Sequence, residues 1–300
     1  MSGKIACKLD GNSAASMGWK AAMGPVEKQT NLENRLRELG SVLVAYSGGI
    51  DSAYLAYTAH RILGADMLAI LADSPSLARA HFEDALSFAR EHSIPIQVIQ
   101  TSELDHPEYV KNDSMRCFHC KDELFSVMER ARQHSGFKHL AYGINVDDRG
   151  EFRPGQQAAG MHSVLAPLVE AGLTKQDIRT LAHQAGLRVW DKPASACLAS
   201  RIEYGRPVTP EILAQVEEGE TLLHRMGYRQ FRVRHHGEIA RIELAREEMP
   251  RALSMESMDR LTAGFRALGF KYVTLDCEGY RSGSMNAILP AEAIRSLNLH

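Results

Sequence analysis

The sequence predicts an α/β protein, a doubly wound parallel sheet followed by a smaller C-terminal α+β unit. Three features carry that prediction. Four short and nearly continuous apolar runs, SVLVAY (41–46), MLAILA (67–72), PIQVIQ (95–100) and HLAYGI (139–144), read as strands covered on both faces. Helical patterns lie between them, and strand–helix alternation implies βαβ units. Beyond about Arg201 the order becomes helix, strand, strand, helix, strand.

Taken in order, residues 1–30 show no period and read as a loosely held extension. Residues 31–200 make the first unit. Within it Phe82, Ala85, Leu86 and Ala89 recur at i, i+3, i+4 and i+7, one helix face. Thr174 to Asp177 reads as a capped helix start. Ile178, Leu181, Ala182 and Ala185 continue it as an apolar stripe, and Gly186 ends it. Residues 201–300 make the second unit. Thr209-Pro210 is a cap with proline at the first helical position. Residues 231–236 and 238–244 read as a hairpin about Gly237, and 271–276 as a last strand.

Composition narrows the class. The chain has 300 residues, 44% hydrophobic and 24% charged, which fits a globular protein with a sizeable core. Lys and Arg total 35 against 37 Asp and Glu, a formal net charge of −2, so no global charge draws the chain to nucleic acid or anionic membrane. No run reaches the roughly 18 apolar residues of a membrane span. Five cysteines, an odd number in a long chain, fit a reducing compartment better than a disulfide framework. A soluble cytoplasmic protein is expected.

The sharpest local signal is Ser47-Gly48-Gly49-Ile50-Asp51-Ser52, between the first strand and a helical run. A strand–glycine loop–helix junction presents backbone N–H groups at a helix N-terminus, an anion site by dipole and by unpaired donors. Gly48 and Gly49 allow the backbone close to a phosphate, and Ser47 and Ser52 add hydroxyls. The loop lacks the Gly-Lys-Ser/Thr of a Walker A loop and the spacing of a dinucleotide turn. It resembles the pyrophosphate loop of enzymes that split ATP between the α and β phosphates. Asp51 is read as ordering the loop and a metal ion. Asp147-Asp148, ahead of Arg153, reads either as a plain loop or as a place for ATP and magnesium.

Cys117 and Cys120 form a C-x-x-C, which alone suits a redox pair, a zinc half-site joined by His119, or iron–sulfur ligands. Cys197 reads as a small buried hydrophobe, or as a thiol whose pKa Lys192 and Arg201 lower. Cys7 and Cys277 carry no signal. Arg232 and Arg234 share one side of the hairpin and suit a substrate phosphate better than a solvated face. Glu220 falls on the stripe of Leu213, Val216 and Leu223, where a carboxylate is costly unless paired or metal-bound. A divalent cation at Glu220 is one reading, and a stripe-edge residue reaching solvent is the other.

Several motifs in one order make the resemblance specific: SGGIDS, RCFHCKDELF, NVDDRGEFRPGQQAA, PLVEAGLTKQDIR, WDKPASACLASRIEYG, RVRHHGEIARIE and GYRSGSMN. Together they resemble the LarE family of ATP-dependent sulfur transferases in nickel-pincer nucleotide biosynthesis. The resemblance implies ATP and Mg2+, and a pyridinium-3,5-biscarboxylic acid mononucleotide whose carboxylates become thiocarboxylates. It implies catalytic roles for Cys197, Cys117 and Cys120. It places Ser47, Gly48, Gly49, Asp51, Ser52, Asp148, Arg153, Arg201, Arg232, Arg234 and Arg281 around the nucleotides. Members with one cysteine sacrifice the counterpart of Cys197 as sulfur donor. The three cysteines here resemble members that hold a [4Fe–4S] cluster. The external sulfur donor is not specified, and a homo-oligomer is expected. Rival readings are a tRNA thiolase with the same loop, an amide-forming adenylating ligase, and a zinc- or nucleotide-binding module without catalysis.

Overall fold

A computed structural model describes residues 23–148, 154–193 and 196–281. Arg153 and Cys7 lie outside the described residues. Helix α1 (Pro25–Leu39) starts inside the stretch read as an extension. Proline at its first position and buried Leu32, Leu36 and Leu39 tie it to the core.

The four predicted strands form, as β1 (Val42–Ala45), β2 (Met67–Asp73), β3 (Ile96–Gln100) and β4 (His139–Tyr142). They make one parallel sheet in the order β3-β2-β1-β4. β1 is buried at every residue because both neighbours and both faces are covered. Its Val42 and Val44 enter one core and its Leu43 and Ala45 the other, as the two-residue period requires. The first core lies under α1, α2 (Ile50–Leu63) and α3 (Arg79–Glu91), and under a helix later in the chain. After α4 (Pro107–Val110), the second core is covered by α5 (Arg116–Ser135) and α6 (Pro154–Met161). A short α7 (Pro167–Glu170) leads to α8 (Lys175–Gln184). The Thr174 cap is a full capping box with Asp177.

The chain leaves β1 for β2 on one side, while β4 lies on the other. Strand order therefore reverses at the carboxyl end of β1, where open α/β sheets form a ligand crevice.

Helix α9 (Pro210–Arg225), capped by Thr209, opens the second unit. The hairpin β5 (Phe231–His236) and β6 (Ile239–Leu244) turns at Gly237 as predicted. After α10 (Met249–Ala252) and α11 (Met255–Ala267), β7 (Tyr272–Leu275) joins β6 in parallel. One face of this sheet packs Val233, Ala240, Ile242 and Leu244 around Phe265 and Leu223. Arg232 lies opposite Glu243, and Arg234 opposite Arg241, on the other face. The 3₁₀ turn Leu198–Arg201 joins the two units. Leu198 N–H donates to the Ser76 carbonyl beyond β2 at 2.8 Å, and Ile202 bridges to His235 of β5. No helix among the described residues is long and apolar enough to cross a membrane.

Candidate active site

The loop Ser47–Gly49 occupies the crevice, with Gly49 as N-cap of α2. Ser52 Oγ donates to the Gly49 carbonyl at 3.0 Å and accepts from Ser47 N–H at 3.2 Å. The two serine hydroxyls lie 3.1 Å apart, so they brace the loop as well as line it. Gly48 has φ +70°, and a Cβ there would stand 2.6 Å from Ala85 Cβ on α3. Close passage of α3 therefore demands this glycine, beyond the phosphate approach read from the sequence. Gly143 follows β4, and a Cβ there would come within 2.6 Å of Ser52 N. Its missing side chain lets the N-terminus of α2 close onto β4.

Four polar residues outside the glycine loop, Asn145, Lys175, Lys192 and Asp84, complete this edge. Lys175 Nζ donates to Asp51 Oδ2 at 2.5 Å, and Asn145 Nδ2 reaches Asp51 Oδ1 at 3.4 Å. Asp148 accepts from Asn145 N–H at 3.0 Å. Lys192 Nζ donates to the Gly48 carbonyl at 3.0 Å and pairs with Asp84. Burial opposes ionisation of Asp84, but hydrogen bonds from Lys192 and Arg188 outweigh it and hold the carboxyl below its usual range.

The C-x-x-C opens α5, so Cys117 and Cys120 stand one turn apart on one face. Cys117 is exposed, while Cys120 and Cys197 are half-buried. Cys120 and Cys197 pack against one cluster with Tyr109, Leu198 and Ala199. Burial pushes the Cys120 thiol up to about 12, with Cys197, Glu103 and Cys117 adding to the rise. Cys120 and Cys197 therefore share one wall, and Cys117 stands one turn before Cys120 on α5, outside that cluster. Among the described residues, no three His, Cys, Asp or Glu side chains group closely enough to hold a metal ion. The donor set suits iron, since thiolates hold iron–sulfur clusters, but the thiols do not form a ligating triad.

The cations expected to act on the Cys197 thiol are engaged elsewhere. Lys192 serves the glycine loop. Arg201, 1% exposed, donates from Nε to Glu220 Oε1 at 2.9 Å and from Nη2 to Oε2 at 3.3 Å. Its Nη1 donates to the Ala196 and Cys197 carbonyls at 2.6 and 2.9 Å, so it holds the cysteine segment by its backbone. Glu220 is half-buried and takes the Nε and Nη2 donations, so it is paired as a carboxylate on an apolar stripe must be unless a metal binds it.

The arginine face of the small sheet is partly spent in the same way. Arg234 Nη2 donates to the fully buried Glu243 at 2.8 Å and Nη1 to the Ser200 carbonyl at 3.1 Å. Arg281 pairs with Asp276 and Glu278. Arg232 lies over the Tyr280 ring at 5.1 Å. Burial, then the neighbouring Arg201, lowers the Arg232 pKa. His81 at the start of α3 is lowered by burial, then by Lys192, Arg201 and Arg232. These cations therefore converge between the glycine-loop edge and the small sheet.

Two buried polar groups near the thiols also carried no sequence signal. Glu103 is 1% exposed, accepts from Ser74 Oγ, and leaves Oε2 without a hydrogen-bond partner among the described residues. Arg116 is 5% exposed; its Nη1 donates to Asn112 Oδ1 at 2.5 Å and to the Ala199 carbonyl at 2.9 Å.

No protein-family model matches the chain. A protein from Synechocystis described only as uncharacterized is 40% identical over 262 residues, 87% of this chain and 98% of that protein. An uncharacterized protein from Methanocaldococcus jannaschii is 27% identical over 260 residues, 86% of this chain and 98% of that protein. The pyridinium-3,5-bisthiocarboxylic acid mononucleotide synthase of Lactiplantibacillus plantarum is 34% identical over 263 residues, 87% of this chain and 95% of that enzyme. With identity spread over nearly the whole of both chains, this protein belongs to the family of pyridinium-3,5-bisthiocarboxylic acid mononucleotide synthases, the LarE family.

Proposed function

We propose that this protein is an ATP-dependent sulfur transferase that converts the two carboxylates of pyridinium-3,5-biscarboxylic acid mononucleotide to thiocarboxylates. The observation that carries the reading is the stitching of the cysteine segment to the phosphate-loop edge. Lys192 binds the Gly48 carbonyl on one side of Cys197, and Leu198 binds the Ser76 carbonyl on the other. Sulfur and ATP chemistry are therefore held within one crevice.

In this reading a substrate carboxylate oxygen attacks the α-phosphorus of ATP, and pyrophosphate leaves. Preorganised N–H donors of Ser47–Ser52 receive the leaving charge. Mg2+ arrives with ATP and would be met by Asp51, with Asp148 beside it. A sulfur nucleophile then attacks the acyl-adenylate carbonyl, and AMP departs. Arg232 is the guanidinium facing the convergence of cations and would hold the mononucleotide phosphate, beside Arg234 and Arg281. A [4Fe–4S] cluster on Cys117, Cys120 and Cys197 would supply a renewable sulfide, and holding it would require the three thiols to draw together from the positions they take here. Arg201 fixes the Cys197 backbone, and Lys192 keeps that segment against the loop.

The test is product analysis with the mononucleotide. AMP and pyrophosphate are expected, with sulfur in the product; ADP and phosphate would reject the reading. Anaerobic wild-type protein is expected to carry iron and sulfide, and Cys120→Ala to lose both. If Cys120→Ala instead keeps full sulfur transfer, and Cys197 becomes lighter by the mass of hydrogen sulfide, Cys197 is itself the consumed donor.

A further inference from the structure

The large unit holds a cavity of about 180 Å³ between α1, α2 and α8. Its floor is Tyr54, Thr58 and Leu181, all buried. Tyr57 and Ala185, half-buried, make its walls, and the exposed Arg61 and Gln184 stand at its rim. Arg61 is ten positions along α2 from Asp51, about 15 Å of helix rise, so this cavity is a place apart from the phosphate-loop crevice.

Two polar groups of the cavity are uncommitted. Tyr54 is 2% exposed, and its hydroxyl has no hydrogen-bond partner among the described residues. Thr58, one turn along α2, acts on the Tyr54 hydroxyl but stands outside bonding distance. Burial pushes the Tyr54 hydroxyl up to about 12, so it stays a donor at neutral pH. A buried hydroxyl without a partner is costly, and an acceptor in the cavity would satisfy it. Arg61 is the second group. Its guanidinium carbon lies 5.7 Å from the centroid of the Tyr57 ring, which steadies it, and it pairs with no carboxylate among the described residues. No carboxylate lines the cavity, and Glu33, which accepts from the lining Gln29, is already paired with Arg37.

These groups suit one kind of occupant. A single cation at the rim matches a single negative charge, and the guanidinium fork matches a carboxylate. Tyr57, Leu181 and Ala185 offer carbon surface between rim and floor. The volume exceeds the roughly 150 Å³ of an apolar cavity that takes up benzene, so there is room for a six-membered ring. The floor hydroxyl calls for an oxygen at the far end of that ring.

We propose that this cavity binds a small aromatic monocarboxylate, with its carboxylate on Arg61 and an oxygen substituent of its ring on the Tyr54 hydroxyl. The inference does not depend on the sulfur-transfer reading and assigns the large unit a second ligand site.

The experiment uses the full chain, with 4-hydroxybenzoate as the probe and calorimetry as the readout. Wild type should bind it, and should bind 4-hydroxybenzamide, alike in shape but neutral, about tenfold or more weakly. Arg61→Gln should lose a similar factor for 4-hydroxybenzoate and nothing for the amide. Tyr54→Phe should weaken 4-hydroxybenzoate about three- to tenfold and leave benzoate, which lacks the hydroxyl, unchanged. Arg61 is exposed, and Tyr54→Phe removes an unsatisfied hydroxyl, so both variants should fold. Absence of binding by wild type at millimolar probe would overturn the proposal, as would equal affinity in wild type and Arg61→Gln. Displacement of the probe by ATP, or its loss in Arg232→Ala, would place the aromatic acid in the crevice and overturn the proposal too. Pyrophosphate formation from the mononucleotide, followed on the same wild-type protein, reports on the proposed function alone.

Discussion

The two sheets set out their polar groups by opposite means. At the carboxyl edge of the large sheet the loop Ser47–Gly49 offers backbone donors and a helix end, and its nearby charges are pairs such as Lys175–Asp51. The small sheet presents guanidinium groups, and most are already matched. Arg234 holds Glu243 and Arg241 reaches Asp276 at 3.0 Å, while beside the sheet Arg201 of the joining turn holds Glu220. Backbone recognition needs glycine and exact chain direction, with little net charge. Side-chain recognition in a buried place needs carboxylates to make the arginines tolerable before any ligand arrives. The carboxylates of the small unit are therefore scaffolding for cations.

The largest effect should come from breaking that scaffolding. Glu220→Ala leaves Arg201, 1% exposed, as a lone buried charge. Removing one member of a buried pair costs about 3–5 kcal/mol. At roughly 2–4 °C per kcal/mol, the melting midpoint should fall by about 6–20 °C. Lys175→Met breaks a pair whose side chains are 34% and 18% exposed, and should cost about 1 kcal/mol or less. If calorimetric melting shows the two variants alike, the contrast between the sheets is wrong.

A second test separates the arginines. Arg232 faces the convergence of cations and stacks on Tyr280, whereas Arg234 also neutralises Glu243. Arg232→Ala should weaken mononucleotide binding by about 1.5–3 kcal/mol and leave ATP affinity unchanged. Arg234→Ala should lower the melting midpoint as well, since the fully buried Glu243 would lose the 2.8 Å donation from Arg234 Nη2. Equal loss of ATP and mononucleotide affinity in Arg232→Ala would show that the phosphate lies elsewhere.

The same contrast explains what the sequence disclosed. All four strands of the large sheet and the hairpin about Gly237 were legible, because burial on both faces and a turn glycine leave local patterns. The loop was legible because backbone recognition demands glycine at fixed places. The cysteines were legible as residue types, while the start of α5 at Arg116 was not, since C-x-x-C has no helical period. Asn145, Lys175, Lys192 and Asp84 could not be assigned to the loop, because their contacts span up to 144 positions. Glu220 showed only as a polar residue on an apolar stripe; its partner Arg201 is 19 positions away and on another element. A carboxylate read alone suggests a cation of either kind, and only the fold supplies the guanidinium.

The smallest expected effect concerns the large unit alone. His162, just beyond α6, sets Nε2 2.9 Å from Asp122 Oδ1 and Nδ1 3.1 Å from Glu129 Oε2, both on α5. Only a ring protonated at both nitrogens donates to both carboxylates. Burial alone would lower its pKa, but the hydrogen bonds to Asp122 and Glu129 outweigh burial and raise it. A raised folded value means the clip stabilises fully below the unfolded value of about 6.5 and is lost as pH climbs through the folded one. The carboxylates are 41% and 36% exposed, so solvent screening limits the effect to about 1 kcal/mol or less. His162→Gln should flatten this part of the stability profile above pH ~6.5 while leaving the Glu220→Ala loss intact, because the two sites share no partner. Denaturant unfolding of the single and double variants across that range checks it. An unchanged pH slope in His162→Gln would remove the clip, and a non-additive double variant would show that the two sheets are not energetically separate.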